Sequence, residues 1–386
     1  MTRPNQNPVK IAFVLRRLRI GGIQRNVLRV AQSLVNKGID VDIITEQSGG
    51  ELTDAVPPGV QVVNLHTSNL ASFANALRRY IRTAAPQAII SSLPLHNAVV
   101  AIIARTVRPR PQTILVHQTA YSHEFEPKTL RERVYVSLVP LVMPLAYRLA
   151  TAVTGVSRGV ADETARMARL SPDSIEVIPN PMAFPSEADE RHPTEKDNGT
   201  DPTNPYFVFV GRLAPQKRVD RLVRSFANLE INGVDLVIVG DGPDRRDLET
   251  LASNSGITHR THFLGNIANP ESWVRGAIAL VLPSDYEGFG NVLIEALACG
   301  TQIIATDCPY GPRDILRDGT LGQLVPIRDD EALRAAMQRV YKGVGLADPD
   351  TLIRESMNYH PDTIAHQYLA VMGLSEYARA NTAIAQ

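Results

Sequence analysis

Two doubly wound, Rossmann-like α/β domains facing one another across a cleft are what this sequence predicts. Short β-rich runs alternate with amphipathic stretches at helical spacing, which is the signature of parallel sheets covered by helices. The alternation stops and restarts around a polar, Pro-bearing stretch without periodicity, SEADERHPTEKDNGTDPTN. The length, 386 residues, exceeds one ordinary core and suits two. The expected divisions are a first Rossmann-like domain at 1–183, a linker at 184–204, a second Rossmann-like domain at 205–361, and a terminal helix at 362–386 packing back on the first domain.

KIAFVL (Lys10–Leu15) opens the first series as a buried strand, and Gly21-Gly22 breaks the chain before a helix from about Gln24 to Lys37. Strands follow at Val41–Glu46 and Val60–Leu65, then helix Ser72–Ala84, strand Ala88–Ser92, helix Ala98–Thr106 and strand Thr113–His117. Strand Ala152–Val156 leads into a helix opening at Ser157, and Ile175–Pro181 closes the first half. The second series reads YFVFVGR, helix Arg218–Leu229, DLVIVG, helix Pro243–Ser253, THFLG, helix Glu271–Gly276 and ALVLP. Helix Asn291–Cys299, QIIAT, LGQLVPI and helix Asp330–Tyr341 complete it, and Pro361 restarts a helix over Asp362–Ala378. Two such halves place a ligand at the carboxyl ends of the strands, in the crevice between domains.

Composition narrows the class. Apolar residues make up 44% and charged residues 21%, a globular balance. Net charge is zero, yet residues 1–180 hold 21 Lys and Arg against 12 Asp and Glu, while the remainder holds 19 against 28. So basic a first half suits an anionic partner, membrane headgroups or a phosphorylated acceptor; an unevenly charged solvated surface is the other reading. Cys299 and Cys308 alone make neither a disulfide framework nor a zinc site, and a reducing, cytoplasmic setting is expected. The first ten residues are too polar for a signal peptide. Val134–Leu145, interrupted by Pro140 and Pro144, falls short of the roughly 20 apolar residues a bilayer span needs.

Chemistry concentrates in two stretches. In Tyr206–Asp220 a buried strand ends at Gly211, so Arg212 and Lys217 sit on the loop at its carboxyl end, where a planar fork and a point charge suit phosphate oxygens. In Ser284–Pro312, Gly288 and Gly290 allow close backbone approach and Asn291 reads as an N-cap, so a helix start points at an anion. Glu287 precedes that turn and Glu295 lies about one turn inside the helix; carboxylates suit sugar and ribose hydroxyls.

Taken in order, GGIQR (Gly21–Arg25), the His117 of LVHQT, VS-x-x-V (Val156–Val160), IPNP (Ile178–Pro181), VGRLAPQK (Val210–Lys217), VGDGP (Val239–Pro243), FLG (Phe263–Gly265) and EGFGNVLIE (Glu287–Glu295) resemble glycosyltransferase family 4, retaining enzymes of the GT-B fold. The resemblance covers nearly the whole chain. It implies that Arg212 and Lys217 hold the donor diphosphate, that Glu287 orients the donor sugar, and that His117 sits near the transferred sugar. It implies further donor contacts from Gly21, Gly22, Gly211, Gly265, Asn266, Gly288, Phe289, Gly290, Asn291 and Val292, with Glu295 on the ribose. The family frequently has Glu where Gln24 stands, which puts a charge-based role there in doubt. ATDCPYGPRDIL (Ala305–Leu316) resembles a variant frequent in bacterial surface-polysaccharide and lipopolysaccharide pathways.

The implied function is retaining transfer of a hexose or N-acetylhexosamine from a UDP-sugar to a glycan or lipid-linked acceptor, with no metal or other cofactor and no nucleic-acid partner. Alternatives are a transferase acting on a small soluble acceptor and a non-catalytic nucleotide-sugar-binding protein. Front-face attack needs no carboxylate nucleophile, so Glu287 is not assigned as one.

Other signals carry less. Asp40-Val41-Asp42 and Asp348-Pro349-Asp350 spell D-x-D by chance, and Gly240-Asp241-Gly242 begins a dinucleotide fingerprint that Arg245 breaks. His96, His123 and His360 lack metal spacing. Arg16, Arg17, Arg19 and Arg25 crowd the first strand–helix junction, joined by Arg78, Arg79 and Arg82. With the mixed cationic and apolar run KTLRERVYVSLVPLVMPLAYR they suggest peripheral docking on the inner face of a membrane; a buried core helix explains that run equally well.

Overall fold

Thirteen strands, all paired in parallel, build two sheets in the computed structural model, which describes residues 9–19, 21–119, 142–182, 204–267 and 269–375. The chain divides into two units, Met1–Pro181 with Pro361–Gln386, and Met182–His360. The linker expected at 184–204 lies, except for Asn204, outside the described residues.

In the first unit the strands are β1 (Lys10–Leu15), β2 (Asp40–Thr45), β3 (Val60–Asn64), β4 (Ala88–Ser91), β5 (Gln112–His117), β6 (Ala152–Gly155) and β7 (Glu176–Val177), in the order β3-β2-β1-β4-β5-β6-β7. Central strands such as β1 and β4 are buried on both faces, as continuous apolar runs demand, while β3 is a half-exposed edge. The second unit holds β8 (Tyr206–Val210), β9 (Asp235–Val239), β10 (Thr261–Gly265), β11 (Ala279–Leu282), β12 (Gln302–Thr306) and β13 (Gln323–Val325), in the order β10-β9-β8-β11-β12-β13. Strand order reverses between β1 and β4 and between β8 and β11. Those switch points are where loops diverge and ligands fit.

Helix ends moved from their expected positions for local reasons. The first helix spans Gly22–Asn36, because Gly21 is extended (φ −179°) and serves as its N-cap. The second starts at Leu70, where Asn69 and Ser72 form a reciprocal capping box. The third starts at Pro94, whose fixed φ and missing N–H suit a first turn. The short helices Pro312–Ile315 and Pro349–Ser356 had no periodic signal strong enough to announce them. Residues 142–148 of the cationic-apolar run are helical, with Met143, Ala146 and Tyr147 in the first unit's core; 128–141 lie outside the described residues.

The terminal helix spans Pro361–Val371 and packs against Gly22–Asn36 in the first unit. Asp362 accepts hydrogen bonds from Ser33 Oγ and, at 2.9 Å, from Lys37 Nζ. Gln112 Nε2 donates to Met372 O at 2.9 Å. No helix among the described residues is long and apolar enough to cross a membrane.

The two D-x-D sequences have structural work. Asp42 is buried between Lys10 Nζ (3.2 Å) and the Tyr80 hydroxyl, which donates at 2.6 Å; burial and this carboxylate push the phenol far above its ordinary range. Asp348 N-caps the helix Pro349–Ser356 through Thr351 N at 3.0 Å.

Candidate functional site

The second unit gathers its motif residues on the loops that leave β8, β9, β10, β11 and β12 at their carboxyl ends. Gly211 leaves β8 at φ +156° and Arg212 follows, exposed and without an ion pair to any described residue. Three residues on, Pro215–Lys217 make one 3₁₀ turn, and Arg218 adopts a left-handed conformation (φ +49°) to start the helix Val219–Ala227.

Lys217 and Glu287, 70 residues apart in sequence, meet here. Lys217 Nζ lies 2.7 and 2.9 Å from the two oxygens of Glu287, and the Ser284 hydroxyl donates to Glu287 Oε1 at 2.6 Å. The carboxylate side chain is 7% exposed, the ammonium 17%, so the pair is screened little by solvent. Cys308 stands close behind: burial first, then the Glu287 charge, push its thiol up to about 12, which keeps it a neutral thiol.

A second ion pair, which sequence reasoning missed, joins the same two loops. Arg218 donates from Nε and Nη2 to Asp220 at 3.0 and 3.1 Å, and from Nη1 to Asp285 Oδ2 at 3.1 Å. Asp285 N donates to Gln216 O at 2.9 Å. The loop bearing Arg212 and Lys217 is thereby fastened to the loop bearing Glu287. Neither Arg218 nor Asp285 stands out in sequence, because a charge beside a motif carries no sign of its partner.

Glycines fit these loops together. A Cβ on Gly240 would fall 1.9 Å from Gly211 O, and one on Gly242 would fall 2.1 Å from Leu213 O. VGDGP is thus a brace under the Arg212 loop: Leu213 N donates to Asp241 O at 3.0 Å and Gly240 N to Gly265 O at 2.7 Å. Gly265 (φ +72°) ends β10, and Asn266 beyond it is exposed. The loop after β12 supports the other side, where Glu287 N donates to Pro309 O at 3.3 Å and Gly311 packs under Phe289 O.

Gly290 (φ +94°) is the N-cap of the helix Asn291–Ala298, and Asn291 is its first residue. The expectation that Asn291 caps is corrected: a glycine in the left-handed region does so, with no side-chain cap bond. Gly288 and Val292 are half-buried around it, and Glu295 lies half-buried one turn inside. Phe289 turns inward, edge-on to Tyr359 at 5.9 Å, so only its backbone is available to a ligand.

Gly21, Gly22 and His117 belong to the first unit. His117 ends β5, is 5% exposed, and packs at 89° to Tyr147, whose hydroxyl hydrogen-bonds its Nε2. Burial lowers its pKa to about 4, against a smaller opposing effect of Glu163, so the imidazole is neutral near pH 7.

This arrangement can bind an anion through Arg212, the Lys217 ammonium and a helix start, while Glu287 and Glu295 accept hydroxyl hydrogen bonds. Comparison with known proteins agrees with that chemistry. A family model described as "Glycosyl transferases group 1" matches residues 190–349, and one described as "Glycosyltransferase Family 4" matches residues 20–183. The 2-deoxystreptamine N-acetyl-D-glucosaminyltransferase of Streptomyces fradiae is 27% identical over 394 residues, covering 91% of each chain. Among solved structures, the apo form of the lipopolysaccharide outer core galactosyltransferase WaaB matches with a TM-score of 0.73 at 19% identity, over 95% of this chain and 99% of that one. HepE from Anabaena, in complex with UDP and glucose, matches with a TM-score of 0.67 at 18% identity, over 98% of this chain and 100% of that one.

Proposed function

We infer the reaction from one premise: this chain belongs to the glycosyltransferases of family 4, with the GT-B fold of two Rossmann-like domains. Its reaction is glycosyl transfer. The donor proposed is a UDP-sugar carrying a hexose or N-acetylhexosamine, and the acceptor a growing glycan or lipid-linked sugar of a cell-surface polysaccharide. Retention of anomeric configuration, independence of metal and a cytoplasmic, membrane-peripheral setting complete the reading. The observation that carries it is Arg212, an exposed guanidinium without an ion-pair partner among the described residues, on the same short loop as Lys217.

Cleaving a glycosyl–phosphate bond builds an oxocarbenium-like sugar and negative charge on the departing diphosphate. Fixed cations aimed at that charge lower the barrier. Arg212 grips two phosphate oxygens; Lys217, with three N–H donors and at most two committed to Glu287, offers another. Glu287, held by Lys217 and Ser284, accepts from a sugar hydroxyl, and Glu295 accepts from the ribose. The family resemblance implies that His117, neutral, sits near the transferred sugar without adding charge. The acceptor hydroxyl attacks from the face the diphosphate leaves, and its proton goes to a departing phosphate oxygen. That a HepE structure contains UDP and glucose supports the donor class.

A panel of nucleotide sugars, with nucleotide release by slow hydrolysis as readout, tests this. UDP-sugars should release UDP with and without chelator. Binding without nucleotide release from any member would defeat the catalytic reading and leave a non-catalytic nucleotide-sugar-binding role; strong inhibition by chelator would restore a metal.

A further inference from the structure

Within the first unit, a pocket of about 220 Å³ opens at the carboxyl end of β1, lined by Arg16, Arg17, Arg19, Gln24 and Gln47. Three of its lining residues are arginines and none is acidic. Glu46, buried, lies 3.8 Å from Arg16 Nε and 3.1 Å from His96 Nε2. Arg17 donates to Ser48 O at 3.2 Å; neither it nor Arg19 has a carboxylate partner among the described residues. The pocket lies beside the β1/β4 switch point, where an open parallel sheet binds its ligands. The helix Gly22–Asn36 begins at its rim with no acidic residue in its first turn and no side-chain cap.

The loop is held in place from below. A Cβ on Gly50 (φ +131°) would fall 2.0 Å from Leu18 O, and Leu52 N donates to that oxygen at 3.0 Å. Three arginines within four residues, around the anchored Leu18, repel one another, and an oxyanion between them relieves that repulsion while accepting forked hydrogen bonds.

We propose that this pocket binds a phosphate group carried by the acceptor, so that the enzyme selects acceptors bearing a phosphate monoester or diester. The acceptor assignment rests on the reading above, in which the donor diphosphate is already held by Arg212 and Lys217 of the second unit. The pocket itself is tested without turnover.

Glycerol 3-phosphate is titrated calorimetrically into the full chain saturated with UDP, with glycerol as the neutral control. The phosphate should bind, the glycerol should not, and affinity should fall as salt rises. Arg16→Gln with Arg19→Gln should weaken the phosphate at least about ten-fold and leave UDP affinity unchanged. Three results overturn the proposal: no phosphate binding beside UDP, equal binding by the double variant, or UDP affinity lost with the arginines, which would make this a donor site. Vesicles containing phosphatidylglycerol separate the sources. Retention on vesicles together with glycerol phosphate binding points to a lipid-borne phosphate, binding of the soluble probe alone to a phosphorylated glycan, and retention without it overturns the pocket. No UDP binding by the wild type, or equal UDP affinity in Arg212→Ala, sinks the donor reading instead, and is read separately from the phosphate titration, which is then run without UDP.

Discussion

At the scale of single residues, the site separates groups by how their charge is compensated. Arg212 stands exposed, so Arg212→Ala should leave folding intact and lower transfer by roughly 30- to 150-fold, about 2–3 kcal/mol of barrier; near-normal turnover would remove it from the chemistry. Lys217 is different, because its partner is buried. Lys217→Ala should cost about 3 kcal/mol of stability by stranding Glu287, and adding Glu287→Gln should restore part of it, read as urea midpoints. His117 sets a pH dependence. Unfolded, its imidazole binds a proton below about 6.5; folded, only below about 4, because burial opposes the charge. Unfolding therefore takes up a proton between those values, and stability falls as pH drops through that window, by roughly 3 kcal/mol at its foot. His117→Gln should flatten the urea midpoint between pH 6.5 and 4; an unchanged slope would show that other groups carry it.

At the scale of elements, the loops matter more than the strands and helices they join. VGDGP read as a broken nucleotide fingerprint, yet its glycines are needed because the Arg212 loop lies on them. Gly240→Ala should therefore depress transfer to a degree comparable with Arg212→Ala without altering any charge, since its φ of +128° and the Gly211 carbonyl leave no room for a methyl group. Wild-type kinetics in that variant would show that the loop tolerates displacement. Asn291 teaches the converse: a residue type suited to capping was assigned by propensity, and the left-handed Gly290 took the position because the chain enters the helix from a turn only glycine adopts easily.

At the scale of the whole molecule, the last helix returns to the first unit, burying Ile364, Tyr368 and Leu369 and placing Asp362 against Ser33 and Lys37. Ending the chain after His360 should lower the unfolding temperature of the first unit, seen as an early far-ultraviolet transition. Fluorescence of Trp273, the single tryptophan and a residue of the second unit, should keep its own transition; one unchanged, coincident transition would refute a separate role for that helix. The alternation of buried strands and amphipathic helices was legible from residues alone, because burial on both faces of a parallel sheet demands continuous apolar runs, and a local pattern records that demand. So were the glycine and cation motifs and their order along the chain. The pairing of Lys217 with Glu287, of Arg218 with Asp285, and of Gly240 with Gly211 was not, since each depends on β8 lying between β9 and β11. Strand order is set by crossovers that return the chain from tens of residues away, so only the tertiary structure decides which charges meet and which remain for a ligand.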